Sequence, residues 1–283
     1  VLTEVKAFSS WPSAPELPLS SGPRAEDDLI HIRGITGLEP VKASVNTSPL
    51  GSVDGASYVG SSVLGRNIVL TLHPNPDWET WTYESLRRLL YSYFMPKRPT
   101  RLVFLSDDMP TVEIYGVVES VGVNQFSKDI ELAVSIICPD PYFTAVEPSV
   151  VTGQTIRAGA PVTQVVTYNG SIETGLNVKV TEVATPDPTD IAIQIGDPLV
   201  SYFAVAASVS SSMYFEVNSI PMNKYVQNVN MGTGVINNLL SKVHIQEGSI
   251  WPILEPGDNE FSVITDKGVQ DWTLTYFERF GGL

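Results

Sequence analysis

Apolar residues fall at Tyr83, Leu86, Leu89, Leu90, Tyr93 and Phe94, the three-and-four spacing that gathers side chains on one side of a helix. The pattern predicts one helix over about 82–94. Thr82 stands where an N-cap belongs, and Glu84 lies in the first turn, where the helix dipole favours negative charge. Glu84 also precedes Arg88 by four residues, a spacing suited to an ion pair on an exposed face. Pro96 ends the helix, because proline lacks the N–H donor and crowds the preceding turn.

Elsewhere the period is two. Strand-like runs at Leu2–Phe8, Leu29–Ile35, Val41–Thr47 and Arg66–Leu72 precede the helix, with Gly34, Gly37, Gly51, Asp54 and Gly55 as punctuation. Arg101–Leu105, Val112–Val121 and Ile130–Cys138 follow it, joined through Ser106–Pro110 and Asn124–Lys128. Pro12, Pro15, Pro18 and Pro23 stand among serines in residues 9–28. Proline at that density opposes ladder pairing, so the segment reads as an arm reaching a neighbouring subunit or as a loop covering a sheet edge. Residues 144–161 lack an apolar period and carry Pro148, Gly153, Gly159 and Pro161, which reads as a linker.

Beyond it come short strand candidates: Val162–Tyr168, Leu176–Val183, Ile191–Ile195, Tyr202–Val209, Tyr214–Val217, Tyr225–Val229, Val243–Ile245, Phe261–Ile264 and Trp272–Phe280. A short helical turn near Ile236–Leu240 is a further candidate. Evenly spaced short strands with turn residues between them predict a β-sandwich or barrel. The expectation is a mainly β protein of two domains, 1–145 and 146–283, with the second able to fold alone and Phe280 belonging to it.

Composition narrows the function. The formal net charge of −14 opposes nucleic-acid binding, which needs clustered Lys and Arg. The sole Cys138 rules out an intrachain disulfide and, ending an apolar strand, reads as core. No run approaches the roughly 20 apolar residues of a membrane-spanning helix, and the first residues do not resemble a signal peptide. Asn46-Thr47-Ser48 and Asn169-Gly170-Ser171 match a glycosylation triplet and, without a secretory signal, read as chance.

Chemistry is hard to find. His31, His73 and His244 stand on separate elements without metal-ligand spacing. Asp107-Asp108 beside Pro110 reads as a solvated turn. There is no Gly-x-Ser-x-Gly elbow and no phosphate loop. Trp78, Trp81 and Trp251 can be read as a sugar-stacking platform or as core caps, with capping the default. No catalytic, cofactor or metal site is expected.

The order of several motifs resembles the distal tail proteins of long-tailed (siphovirus-type) bacteriophages. In the first half these are Ile35–Leu38, Asp54-Gly55-Ala56, Arg66-Asn67-Ile68, Arg88-Leu89-Leu90-Tyr91, Phe94-Met95-Pro96-Lys97, Gly116-Val117-Val118-Glu119 and Cys138–Phe143. In the second they are Asn169-Gly170, Thr174-Gly175-Leu176, Pro256–Phe261, Leu274-Thr275-Tyr276 and Glu278-Arg279-Phe280. The resemblance implies an N-terminal barrel- or sandwich-like ring domain with one helix, followed by a galectin-like jelly-roll sandwich. It implies a non-enzymatic virion protein: a homo-hexameric ring at the tail tip or baseplate, assembled in the host cytoplasm. The implied neighbours are the tail-tube protein, the tail-tip or central-fibre protein and receptor-binding proteins, with genomic DNA passing through unbound.

On this reading Arg87, at the edge of the helix's apolar arc, and Arg88 and Tyr91, beyond it, are subunit-interface candidates. Ordinary solvent exposure is the competing account. Asp107, Asp108 and Glu113 are candidates for an acidic channel lining, which would repel DNA and keep it mobile. Three alternatives remain open: another tail-tube or baseplate ring protein, a galectin-like carbohydrate-binding module, and a glycan-active enzyme.

Overall fold

A computed structural model describes residues 2–9, 15–20, 29–51, 54–123, 130–155, 163–184, 187–196, 201–245 and 248–283. The Asn124–Lys128 connection, Pro12, Pro23, Gly159 and Pro161 lie outside them. Contacts divide the chain into two units, Val1–Val146 with Phe280–Leu283, and Glu147–Arg279.

The first unit is a barrel. Its strands are β1 (Leu2–Ser9), β2 (Leu17–Ser20), β3 (Ile30–Thr36), β6 (Arg66–Pro74), β7 (Pro99–Ser106), β8 (Val112–Val123) and β9 (Leu132–Cys138). In space the order runs β8-β7-β1-β2-β3-β6-β9, and β9 pairs back to β8, so the sheet closes on itself. Alternate residues point inward: Val5 and Ala7, Ile68, Leu70 and Leu72, Leu132, Val134 and Ile136 are buried in one core. β8 can serve β7, β9 and also β10 (Phe143–Ala145) because it is 12 residues long and slips register between Val118 and Ser120. Gly116 is required there, since a Cβ would lie 2.5 Å from Ile136 Cγ2 and 2.8 Å from Cys138 Sγ. Cys138 is buried, and burial pushes its thiol up to about 11, so it is a core residue without thiolate character.

Helix α1 (Tyr83–Tyr93) packs Leu90, Tyr93 and the C-capping Phe94 into the barrel core. Thr82 caps it as expected: its hydroxyl accepts from Ser85 N, and Ser85 Oγ accepts from Thr82 N. Tyr93 donates from its hydroxyl to Pro15 O at 2.8 Å.

Three expectations are corrected. The proline-rich stretch contains a strand: Leu17 and Leu19 are buried while Pro18 points out, so β2 pairs with β1 despite its proline. Apolar alternation across Leu-Pro-Leu-Ser outweighs the lost donor. The supposed linker contains β10 and β11 (Ser149–Gln154), the latter in register with Tyr276 to Asp271. Phe280 does not belong to the second unit. It is buried in the barrel core, and β22 (Arg279–Phe280) joins β10 at the end of the first sheet. One strand was also unforeseen. It is β5 (Ala56–Val63), which among the described residues pairs with the expected strand, β4 (Ala43–Pro49), in a hairpin separate from the barrel sheet.

Arg66 ties the first unit together. It is 3% exposed and its guanidinium donates to Gly37 O (2.6 Å), Glu39 O (3.0 Å), Pro141 O (2.7 Å) and Gly281 O, lying 4.4 Å from the centre of the Phe143 ring. Three separate segments are thereby held at one end of β6.

The second unit is a two-sheet sandwich. One sheet runs β11-β21-β13-β16-β17-β18, with β19 (Ile253–Leu254) on β13. Its other strands are β13 (Thr174–Ala184), β16 (Met213–Asn218), β17 (Tyr225–Asn230), β18 (Ile236–Asn238) and β21 (Val269–Tyr276). The facing sheet runs β12-β20-β14-β15, from β12 (Gln164–Tyr168), β14 (Ile191–Ile195), β15 (Ser201–Val205) and β20 (Gly257–Thr265). Inward residues of both sheets share one core, with Phe261 edge-on to Trp272 at 4.9 Å and Tyr168 edge-on to Tyr276 at 5.8 Å. In place of the short helix expected near Ile236–Leu240 there is β18 and then a 3-10 turn at Leu240–Lys242.

Two outcomes follow from this architecture. Arg66→Met leaves four carbonyls without their donor and is expected to cost on the order of 3 kcal/mol. That should appear as a fall in melting temperature of roughly 6–12 °C for a unit of this size. A melt unchanged from wild type would show that the guanidinium is dispensable. Residues 147–279 alone should unfold cooperatively, whereas residues 1–146, lacking Phe280 and the Gly281 carbonyl, should melt well below the first unit of the full chain. Calorimetry of both fragments against the whole protein measures this.

Candidate functional site

The helix surface separates the three interface candidates. Arg88 is exposed and already engaged, Nη2 lying 2.6 Å from Glu84 Oε1 in the expected i,i+4 pair. Tyr91 does not lie beyond the apolar arc as expected: it is half-buried and packs on the barrel core, because the arc is wider than the three-and-four spacing suggests. Arg87 is half-buried, and its Nε is shielded from solvent with no hydrogen-bond partner. Of the three it has the clearest unmet bonding capacity.

The channel candidates also diverge. Asp107 and Asp108 are exposed in the turn between β7 and β8. Glu113 is mostly buried and compensated by Arg101 at 2.5 Å, itself 4.8 Å from the Phe8 ring centre. Little of its charge is available to a channel.

The hairpin β4–β5 was not singled out by the sequence. Nearly all its residues are exposed, among them Val45, Tyr58 (66%) and Val59 (67%), with Leu50 and Leu64 (67%) flanking it. Between Ala43 and Leu64 the only charged residue is Asp54. A two-stranded hairpin is marginal in water on its own, and apolar side chains without charges among them mark a contact surface. The signal for it was present as a long uncharged run with a Gly-Ser-Val-Asp-Gly turn.

Preceding the helix, Asp77 Oδ1 accepts from Thr80 N (2.9 Å) and Trp81 N (2.8 Å), and these backbone bonds hold its carboxyl below the usual range. The tight loop leaves Trp78 at φ 62° and 68% exposed, edge-on to Tyr83, so the core-cap expectation fails for this residue. Trp251, by contrast, stacks on the core residue Phe203 at 4.9 Å. His31 and His73 prove to be cross-strand partners on β3 and β6, but no group of three or more metal-binding side chains occurs among the described residues.

The second unit holds a trough on the outer face of its four-stranded sheet. Ala192 and Ala204 pair in register, and Ala192 pairs with Ile264 on the other side, giving a floor of small and aliphatic side chains. Tyr202, His244, Asp190, Thr265 and Asp266 complete a cavity of about 350 Å³. His244 Nε2 lies 3.4 Å from Asp190 Oδ1. Asp266 accepts from Thr189 N (2.7 Å), Thr189 Oγ1 (2.6 Å) and Asp190 N (3.2 Å), with Lys267 Nζ at 3.6 Å. No sequence signal marks this trough, because its floor exists only through the pairing of β14 with both β15 and the distant β20.

A closed barrel carrying one helix and an unpartnered hairpin, followed by a two-sheet sandwich, defines the architecture. Residues 28–133 match the model of the phage tail protein RIFT-related domain. Among solved structures, the crystal structure of the SPP1 Dit (gp 19.1) protein, described as a paradigm of the hub adsorption apparatus in phages infecting Gram-positive bacteria, aligns with a TM-score of 0.67. The alignment covers 98% of this chain and 99% of that one at 17% identity, so this chain has the SPP1 Dit fold over essentially its full length. The baseplate of phage p2 in its calcium-activated conformation aligns with a TM-score of 0.47 and 10% identity over 99% of both chains. No curated protein matches by sequence.

Asp266 gives a pH-dependent prediction. Burial alone would raise its pKa, but bonds from the Thr189 side chain and backbone, from Asp190 N and from Lys267 outweigh it and bring the group to about 2. A folded value below the unfolded one, about 3.9, means the carboxylate stabilises the fold above that pH and ceases to as pH falls through the folded value. Asp266→Asn should therefore lower the melting temperature at pH 7, and the gap to wild type should close as pH falls from about 4 to 2. A gap constant across that window would contradict the assignment.

Proposed function

We propose that this chain is a structural, non-enzymatic protein of a phage tail tip. In this reading six copies form a ring at the distal end of the tail. The ring joins the tail tube to tail-tip or central-fibre proteins and carries receptor-binding proteins; it is assembled in the host cytoplasm and resident in the virion. The observation that carries it is the match of residues 28–133 to a phage tail domain, because those residues build the helix, the hairpin and most of the barrel. The shared SPP1 Dit fold supports the same reading. The second unit, a galectin-like sandwich in this view, serves as the platform for receptor-binding proteins.

The hairpin β4–β5 is the element proposed to close the ring. Each copy lays it on the next in a head-to-tail contact, the kind of interface that yields a closed ring when the rotation permits. Arg87 meets the neighbour near the helix, where its shielded Nε gains an acceptor; Arg88 and Tyr91 contribute at the rim. Asp107 and Asp108 are the acids proposed for the channel wall, with Glu113 behind them.

Native mass spectrometry and negative-stain microscopy of the purified chain test this, with sixfold rings as the expected result. Tyr58→Asp combined with Val59→Asp should leave monomers whose melting temperature is unchanged, since neither side chain lies in a core. Rings that persist in the double variant would remove the hairpin from the interface, and a wild-type protein that stays monomeric at roughly tens of micromolar would count against the ring itself.

A further inference from the structure

We infer that the trough of the four-stranded sheet binds a neutral saccharide of one or two pyranose rings. At about 350 Å³ the cavity lies at the small end of the ligand-pocket range, roughly 300–1,000 Å³. Its floor suits the C–H face of a sugar. Ala192 and Ala204 sit at positions where a larger outward-facing side chain would fill the groove, and Ile264 and the half-buried Tyr202 add apolar surface beside them. The polar groups stand along the walls, where ring hydroxyls would reach them.

The electrostatics choose among ligand classes. Two carboxylates in a cavity would ordinarily favour a cation. Here each is already served: Asp190 by His244 at 3.4 Å, and Asp266 by Thr189, Asp190 N and Lys267. A cationic ligand would have to compete with these partners, and an anionic one would meet two carboxylates. A hydroxyl needs only a spare lone pair. An ionised carboxylate offers about four acceptor sites, so Asp190, which faces His244 through Oδ1, retains capacity for O–H donors, whereas three hydrogen bonds and Lys267 take up that of Asp266. Bonds to charged acceptors are also among the stronger neutral-ligand contacts. Asp266, held by three donors, is a fixed wall of the trough and leaves Asp190 as the acceptor for a ring hydroxyl.

The site is independent of ring formation, and its test can be read on rings or monomers alike. Saturation-transfer NMR on the full-length chain would use methyl α-D-glucopyranoside, methyl β-D-galactopyranoside and N-acetylglucosamine, with arginine amide as the cationic comparison. At least one sugar should give saturable transfer with a millimolar or tighter Kd, and arginine amide should bind more weakly. Ala192→Leu, which fills the floor, should abolish the signal. Asp190→Asn, at a largely exposed side chain, should weaken it by about tenfold and gives the readout if Ala192→Leu fails to fold by circular dichroism. Absence of saturable binding for all three sugars would overturn the inference. So would binding unaltered by Asp190→Asn and by a folded Ala192→Leu, or tighter binding of arginine amide.

Discussion

One buried guanidinium sets the terms for the first unit. A barrel closed by β8–β9 pairing has no free edge inside its ring of strands, but its ends must still be fastened, and the segments there are irregular backbone with carbonyls to satisfy. Arg66 satisfies four of them from three segments distant in sequence: Gly37 and Glu39, Pro141, and Gly281. Desolvation lowers its pKa from the ordinary value, so the charge is held at a cost that its five donors and the Phe143 ring offset. The constraint reaches outward. Gly37 must adopt φ 87° with no Cβ, because one would lie 2.1 Å from Asn67 O, and that turn is what presents its carbonyl to Arg66. The last residues then return to the barrel with Phe280 in its core and Leu283 N donating to Leu38 O.

This dependence explains why part of the fold was readable and part was not. Local signals were strong where one period held: helix α1 with its Thr82 cap, and β6 and β9 with strict alternation. They failed where a partner decided the outcome. Pro18 looked prohibitive, yet β1 and the buried Leu17 and Leu19 make a strand of it. Ser149–Gln154 has too little apolar character to announce itself, and it pairs because β21 presents an edge. Phe280 looked like the end of β21, but a two-residue pairing with β10 and the barrel core claim it. Each case is non-local pairing overriding a local preference.

The candidate surfaces divide along the same line. An amphipathic pattern shows which helix face is buried but not how wide the buried arc is, so Tyr91 was placed outside a core it in fact touches. Hydrophobicity arguments also assume that apolar residues go inside. The hairpin violates that assumption throughout, and only the structure shows that its two strands pair with each other outside the barrel sheet. The trough is the extreme case. Ala192, Ala204 and Ile264 are unremarkable residues on three strands, and their concavity arises from register alone.

The hairpin's composition also bears on how an acidic protein could assemble with itself. At a formal charge of −14 per chain, bringing several copies together accumulates like charge, and the repulsion grows with every subunit added. Contacts rich in Asp and Glu would add close-range repulsion to that long-range term. An uncharged apolar hairpin avoids it, because its attraction depends on area removed from water and is indifferent to the sign of the surrounding field. Repulsion between charges farther apart than the Debye length, about 8 Å at physiological salt, is largely screened. A contacting element nearly free of charge lets an acidic surface and a ring built from copies of it coexist, and the stretch from Ala43 to Leu64, with Asp54 as its one charged residue, meets that condition.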